Sequence, residues 1–191
     1  MNINDKLLNI KTDGIKITNK KDHFYYEATP YHDLNILTKK IKLKDSDTLV
    51  DFGSGKGRVL FYFNYLFNNF SKGIEIEEDL IQLANKNKEN FIKSTNKIAF
   101  IKSLAENYQV DINDNYFFFF NPFDINIFSK VINNIIKSFN EKRRKITIIL
   151  CYPIIEYLEY IINETDFKLF DYIENDNTQN GLNKFIIMEL S

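Results

Sequence analysis

The sequence predicts an α/β protein: a three-layer sandwich around a seven-stranded, mostly parallel sheet whose last strand runs antiparallel. Two observations carry this. From residue 48 onward, apolar runs of strand length alternate with segments of helical periodicity, the pattern of parallel strands joined by crossover helices. The last two apolar runs, FKLFDYI and KFIIMEL, are instead separated only by the turn-prone NDNTQNG and read as a hairpin. At 191 residues and 44% hydrophobic content, the chain is expected to form one domain, residues 1–191, with a sizeable core.

Each element has a local reason. Thr29 is a plausible N-cap and Pro30 a plausible first helical residue, ahead of a stripe of Leu34, Leu37 and Ile41. Thr48 to Phe52 reads as a buried strand, followed by a glycine-rich loop and a helix apolar on most sides, Val59 to Phe70. A second strand, Lys72 to Ile76, leads to a helix from about Glu77 that turns Leu80, Leu83, Ala84 and Phe91 to the core. Ile98 to Ile101 is the third strand. Tyr116 to Phe120 is the fourth, with its four consecutive phenylalanines packed in the core as in a strand buried on both faces. Asp124 can cap a helix whose stripe is Phe128, Val131, Ile132, Ile135 and Phe139. Ile146 to Leu150 is the fifth strand, and a helix from about Ile154 to Asn163 precedes the hairpin.

Composition excludes several classes. Lys+Arg (25) and Asp+Glu (26) nearly cancel, which argues against a dedicated binder of phosphate backbones. The N-terminal MNINDKLLNIKTDG is too polar for a secretory core, and no apolar run approaches the ~18 residues of a membrane span. The lone Cys151 cannot form an internal disulfide and reads as a small core residue. A cytoplasmic protein with no membrane partner is expected. His23 and His32 have no third ligand in sight, so no metal is expected. The basic stretch Glu141–Lys145, EKRRK, reads as a solvated connection, with contact to nucleic acid or an acidic protein as its alternative.

LVDFGSGKGR, residues 49–58, concentrates three of the six glycines behind the first strand. Such a loop lets a ligand come close to the backbone, and the N–H groups opening the next helix can meet an anion. A dinucleotide fingerprint needs G-x-G-x-x-G, but Arg58 stands in the third place and Gly57 comes one residue early. A nicotinamide-dependent oxidoreductase is disfavoured on that ground. A phosphate-binding P-loop fails as well, because Gly57 follows Gly55-Lys56 where Lys-Ser or Lys-Thr is needed.

The spacing D-x-G-x-G-x-G, Asp51 through Gly57, resembles motif I of the class I S-adenosylmethionine-dependent methyltransferases, whose core is Rossmann-like. Glu75, 24 residues after Asp51 in GIEIEEDLIQLANKN, fits the acid with which that family accepts both ribose hydroxyls. The resemblance implies S-adenosylmethionine as cofactor. It implies that Asp51 positions the amino end of the methionine moiety, and that Gly53, Ser54 and Gly55 line the cofactor together with Gly57, Arg58, Ile76, Leu104, Ala105 and Asn121. HFYYEATPYHDLNIL, residues 23–37, looks like the segment that closes over the cofactor, with Tyr26, Thr29 and Tyr31 as lid candidates, although a capped helix with aromatic packing reads the same stretch. On this view residues 1–47 are a helical extension or lid and 48–191 the core. YEATPY, LVDFGSGKGRVL and GIEI together are similar to the seven-strand, non-SET histone lysine methyltransferases and to many bacterial methyltransferases of unassigned substrate; the likeness covers roughly residues 24–125. One departure is Leu104, where many relatives carry an Asp that accepts the adenine amino group; Glu106 and Asn107 are the substitutes nearby.

Asn121-Pro122-Phe123 resembles the (Asn/Asp)-Pro-Pro-(Tyr/Phe) motif IV of nitrogen methyltransferases, with one proline missing. The resemblance makes these three the catalytic candidates. The Asn side-chain carbonyl and a Pro backbone carbonyl would accept hydrogens from the target nitrogen, and the aromatic ring would pack on the target. Mere lining of a pocket, or a plain strand-ending turn, would use the same residues. Asp124 and Glu27 are candidates to take a proton. The function expected is methyl transfer to an unidentified acceptor, a nitrogen of a protein or small molecule ahead of RNA. A cofactor-binding regulatory or scaffold protein without transfer activity is the alternative.

Overall fold

The structure, a computed structural model, describes residues 2–14, 27–174 and 183–191. Two helices come first, α1 (Ile3–Leu8) and α2 (Tyr31–Lys40). There follow β1 (Thr48–Phe52), α3 (Arg58–Phe67), β2 (Phe70–Glu75), α4 (Glu78–Asn90) and β3 (Ile98–Lys102). A 3₁₀ turn at Ala105–Asn107 leads to β4 (Tyr116–Phe119), α5 (Ile125–Glu141), β5 (Ile146–Cys151), α6 (Ile155–Glu164), β6 (Lys168–Glu174) and β7 (Asn183–Leu190).

The seven strands form one sheet in the order β3-β2-β1-β4-β5-β7-β6. All neighbours pair in parallel except β7, which runs antiparallel to both β5 and β6. The expected sheet, including its single reversed last strand, is therefore present. The turn NDNTQNG that links β6 to β7 lies outside the described residues. No helix of the described residues is long and apolar enough to cross a membrane.

The period-2 alternation of strands sends neighbouring phenylalanines to opposite faces. Phe117 and Phe119 join Phe52, the α5 stripe Phe128, Val131, Ile132, Ile135 and Phe139, and Tyr157 of α6. Phe118 joins Leu34 and Leu37 of α2 and Leu60, Phe61 and Phe63 of α3 on the other side. Each helical layer thus buries one face of the sheet.

Several expectations shift. α2 begins at Tyr31 with Pro30, not Thr29, in the capping position. α3 ends at Phe67 because Asn68 adopts a left-handed conformation (φ 55°), and Phe70, expected in that helix, opens β2. Leu83 is 43% exposed, whereas Ile81 is buried: the core stripe of α4 is Leu80, Ala84 and Asn87, and Leu83 falls on its flank. β4 stops at Phe119, so Phe120 lies beyond the strand and is only partly buried, packed against the α2–α3 side of the core. Cys151 ends β5 fully buried, and Arg144 of EKRRK donates to the backbone carbonyls of Asp114, Ser138 and Lys142 instead of pointing to solvent.

Candidate active site

The strand order reverses direction between β1 and β4, and a cleft opens at their carboxyl ends, where open parallel sheets hold ligands. Its walls come from the ends of β1, β2 and β4 and the loop before the 3₁₀ turn, and its rim from Glu27, Ala28 and Thr29.

The glycine loop turns through three left-handed residues, Gly53 (φ 75°), Gly55 (φ 52°) and Gly57 (φ 87°). Gly53 and Ser54 both donate their N–H to the Ile74 carbonyl, at 2.9 and 3.2 Å, which anchors the loop on β2. A Cβ on Gly57 would lie 2.5 Å from the Phe100 ring, so this glycine permits close packing of α3 on β3.

Two acids face this loop. Glu75 accepts from the Gly55 N–H through Oε2 (2.9 Å) and from the Ile76 and Glu77 N–H groups through Oε1 (2.8 and 2.9 Å). Burial raises its pKa while those three donors pull it back. Asp51 is only 5% exposed, lines the cleft, and meets no hydrogen-bond donor among the described residues. Burial, and then the negative charge of Glu75, push its carboxyl well above the usual range. A buried carboxyl in that position suits a ligand that brings a positive charge.

The rim is tied down by Arg58, the first residue of α3. Its Nη1 donates to the carbonyls of Ala28 (3.5 Å) and Thr29 (3.2 Å), its Nε to Thr12 Oγ1 (2.6 Å) and its Nη2 to Asp13 (2.7 Å). The buried Asp5 completes the network, accepting from the Thr12 N–H and hydroxyl and from the Tyr31 hydroxyl (2.6 Å). The guanidinium lies over the Tyr31 ring, 4.6 Å from its centroid.

The other floor of the cleft is the turn after β4. Asn121 has φ 41°; its Nδ2 donates to the Tyr152 carbonyl (2.6 Å) and its Oδ1 accepts from the Ile154 N–H (3.3 Å). Phe123 is 2% exposed, packs edge-on against Phe119 at 6.3 Å, and its carbonyl accepts the Tyr157 hydroxyl.

A family model described as a methyltransferase domain matches residues 43–181. The chain belongs to this family. Solved methyltransferases share its fold at low identity. An RNA methyltransferase from Salinibacter ruber, in complex with S-adenosyl-L-homocysteine, is 14% identical with a TM-score of 0.62, over 85% of this chain and 92% of that one. A SAM-dependent methyltransferase from Geobacter sulfurreducens, also with S-adenosyl-L-homocysteine, is 20% identical with a TM-score of 0.53; the match spans 64% of this chain and 47% of that one, about half its length. A geranyl diphosphate C-methyltransferase from Streptomyces coelicolor A3(2) is 11% identical with a TM-score of 0.57, over 83% and 76%. No curated protein matches the chain.

Within the methyltransferase cleft the structure gathers Thr29, Asp51, Gly53, Ser54, Arg58 and Glu75 with Ile76, Ala105 and Asn121-Pro122-Phe123. Other expected residues fall elsewhere. Tyr31 is turned to Asp5 in the N-terminal network, Leu104 is 38% exposed outside the cleft, and Gly57 is a helix cap. Gly55 meets Glu75 through its backbone. Tyr26 lies outside the described residues. The Asp124 carboxylate caps α5 by accepting the Ile127 N–H (3.0 Å), while Glu27 stands at the rim. Phe120 and Ser103 line the cleft without having been singled out in the sequence, Phe120 because its neighbours all read as core.

Proposed function

We propose that this methyltransferase uses S-adenosylmethionine and transfers its methyl group to a nitrogen of an acceptor placed over the Asn121–Phe123 turn. The observation that carries the reading is the buried Asp51 carboxyl, without a donor partner among the described residues, directly behind a loop whose Gly53 abuts Pro122.

The cofactor fits the residues present. Asp51 suits the α-ammonium group, and the buried Ser54 hydroxyl, which has no partner among the described residues, suits a further polar atom. Glu75 fits the ribose differently from the family pattern. A carboxylate offers about four acceptor sites, and three of Glu75's are taken by N–H groups. It accepts one hydroxyl as it stands and a second only if the Gly55 N–H gives way. Ile76 and Ala105 supply apolar walls for the adenine. The neighbours solved with S-adenosyl-L-homocysteine support the same cofactor.

When bound, the sulfonium supplies an electrophilic methyl group. The chain's own residues then position and orient the partners, which contributes up to about 7–11 kcal/mol in ideal cases. Asp51 holds the charged end of the donor, the Asn121 Oδ1 and the Pro122 carbonyl direct the acceptor's lone pair, and Phe118 and Phe123 keep water out. Glu27 at the rim is the carboxylate placed to take a proton. The extension before the 48–191 core would act on the cleft through residues 2–14 and 27–31, which the Arg58 network ties together.

The acceptor class is wider than the sequence suggests. Proteins of this fold are named for acceptors as different as RNA and geranyl diphosphate, which puts RNA beside protein and small molecules. The test is calorimetric titration with S-adenosylhomocysteine, in which Gly55→Val abolishes binding, followed by methyl-labelled cofactor with cell extract and separate protease and nuclease digestion. Absence of cofactor binding by folded protein overturns the reading. A second reading, a cofactor-binding protein without transfer, is favoured by the engagement of both Asn121 amide atoms in the turn after β5. Binding without transfer to any cellular fraction would establish it.

A further inference from the structure

Phe120 lines this cleft, and the ring of Tyr152 packs against it. Phe117, Phe118 and Phe119 are essentially fully buried, but Phe120 is half-buried and lines the cleft beside Asn121. Its ring centroid lies 5.9 Å from that of Tyr152, with the planes tilted by 39°.

Tyr152 sits just past the end of β5 with φ 46°, a conformation a bulky residue adopts only where its surroundings impose it. Three hydrogen bonds do so. Its N–H donates to the Lys184 carbonyl (2.8 Å), and its carbonyl accepts the Asn121 Nδ2 (2.6 Å). Its hydroxyl donates to Asp33 Oδ2 (2.9 Å), and Asp33 is itself held by Lys184 Nζ at 3.1 Å in a buried ion pair. Elements α2, β4 and β7 thus converge on one partly exposed ring.

Phe123, the aromatic residue expected at the acceptor, is packed into the core. We infer that Phe120 and Tyr152 take its place, as an aromatic wall against which a planar nitrogen-containing ring, a nucleobase or a free heteroaromatic compound, packs with its nitrogen toward Asn121. Flat faces favour a flat partner. An alkylammonium acceptor would need a carboxylate beside the wall. Asp33, which the Tyr152 hydroxyl reaches, is engaged by Lys184 and Tyr152, and Asp124, just after the Asn121–Phe123 turn, by the α5 N-terminus.

This inference rests on the transfer reading above, and its test separates the two. Full-length protein saturated with S-adenosylhomocysteine is titrated with the four ribonucleosides, with a short single-stranded RNA of mixed sequence, and with a lysine-rich peptide. Binding of a nucleoside, or of the RNA alone, is expected, and the two arms distinguish a free ring from a base within a strand. Tyr152→Leu and Phe120→Leu, which keep apolar volume but remove the flat faces, should weaken that binding by about tenfold or more. Tyr152→Phe, which keeps the ring and loses only the bond to Asp33, should recover most of it. Affinity for S-adenosylhomocysteine, measured on each variant, reports folding and the donor site. Failure of the wild-type protein to bind S-adenosylhomocysteine removes the transfer reading and this one together. Cofactor binding with capture of the peptide alone, with capture of none of the three probes, or with ring binding unaffected by both leucine variants overturns the aromatic wall and leaves the transfer reading standing.

Discussion

Gly53 and Pro122, at the ends of adjacent strands β1 and β4, touch so closely that a Cβ on the glycine would lie 2.6 Å from the Cβ of the proline. The glycine loop and the turn after β4 are therefore packed directly against each other. Gly53→Ala adds this clash to a left-handed backbone (φ 75°) that alanine resists. A stability loss of about 1–3 kcal/mol is expected, with S-adenosylhomocysteine affinity lowered. Gly53→Ala/Pro122→Ala should recover part of the loss, because only the clash is relieved. Denaturant unfolding of the three variants measures this, and additivity would show that the two loops do not press on each other.

Asp51 makes cofactor binding depend on pH in a defined direction. Its carboxyl is held above the usual range by burial and by Glu75, so cofactor-free protein keeps the proton to a higher pH than the unfolded chain does. A bound ammonium group favours the carboxylate. Affinity for S-adenosylhomocysteine should therefore rise with pH, by up to about tenfold per unit, and level off above the raised pKa. The same shift makes cofactor-free protein lose stability as pH climbs from the unfolded carboxylate's pKa to the folded one, because the unfolded state gives up its proton first. Calorimetry across a pH series checks both, and Asp51→Asn should flatten the binding curve. A wild-type curve as flat as the variant's would remove Asp51 from the ammonium site.

The parts of this site that could be read from the sequence are those whose cause is local. The glycine spacing, Glu75 at the end of β2, the Asp124 cap and the α5 stripe each lie within a few residues of the feature they shape. Arg58 was legible only as a departure from a dinucleotide loop. Its actual partners, Asp5, Thr12, Asp13 and the Ala28 and Thr29 carbonyls, lie 29 or more residues away. Tyr31 was turned from lid to scaffold by the same distant Asp5. Phe120 lines the cleft and Phe123 is almost fully buried beside it, because β4 ends at Phe119 and Asn121 takes a left-handed turn. No composition or periodicity encodes where a strand stops.

Arg58 should hold the rim of the cleft in place through the N-terminal segment. Arg58→Ala removes a nearly buried cation and leaves Asp5, Asp13 and two carbonyls with fewer donors. A loss of about 3 kcal/mol is expected, accompanied by weaker S-adenosylhomocysteine binding as Ala28 and Thr29 come free. Deleting residues 1–13 should have the same two effects, and Arg58→Ala should add little in that background. Independent, additive losses would mean that Arg58 acts on the cleft directly and not through the segment it clamps.

Asn121 separates the two functional readings. Its amide bridges the ends of β4 and β5, and its Oδ1, with one lone pair used by Ile154, has a second available for an acceptor's hydrogen. Asn121→Ala should lower methyl transfer by about a hundredfold, the order seen when one positioned donor or acceptor is removed from an active site. S-adenosylhomocysteine affinity should change by only a few-fold. Alanine also dislikes φ 41°, so strain alone could depress activity. Asn121→Gly relieves that strain and still lacks the amide; it should be as inactive as the alanine variant while unfolding at a higher denaturant concentration. Asn121→Asp keeps an acceptor oxygen but sets a carboxylate against the Tyr152 carbonyl, and should retain cofactor binding with transfer partly restored if the oxygen is what matters. Full transfer by Asn121→Gly would assign the residue to the turn alone, and the acceptor's nitrogen would have to be oriented by the Pro122 carbonyl without it.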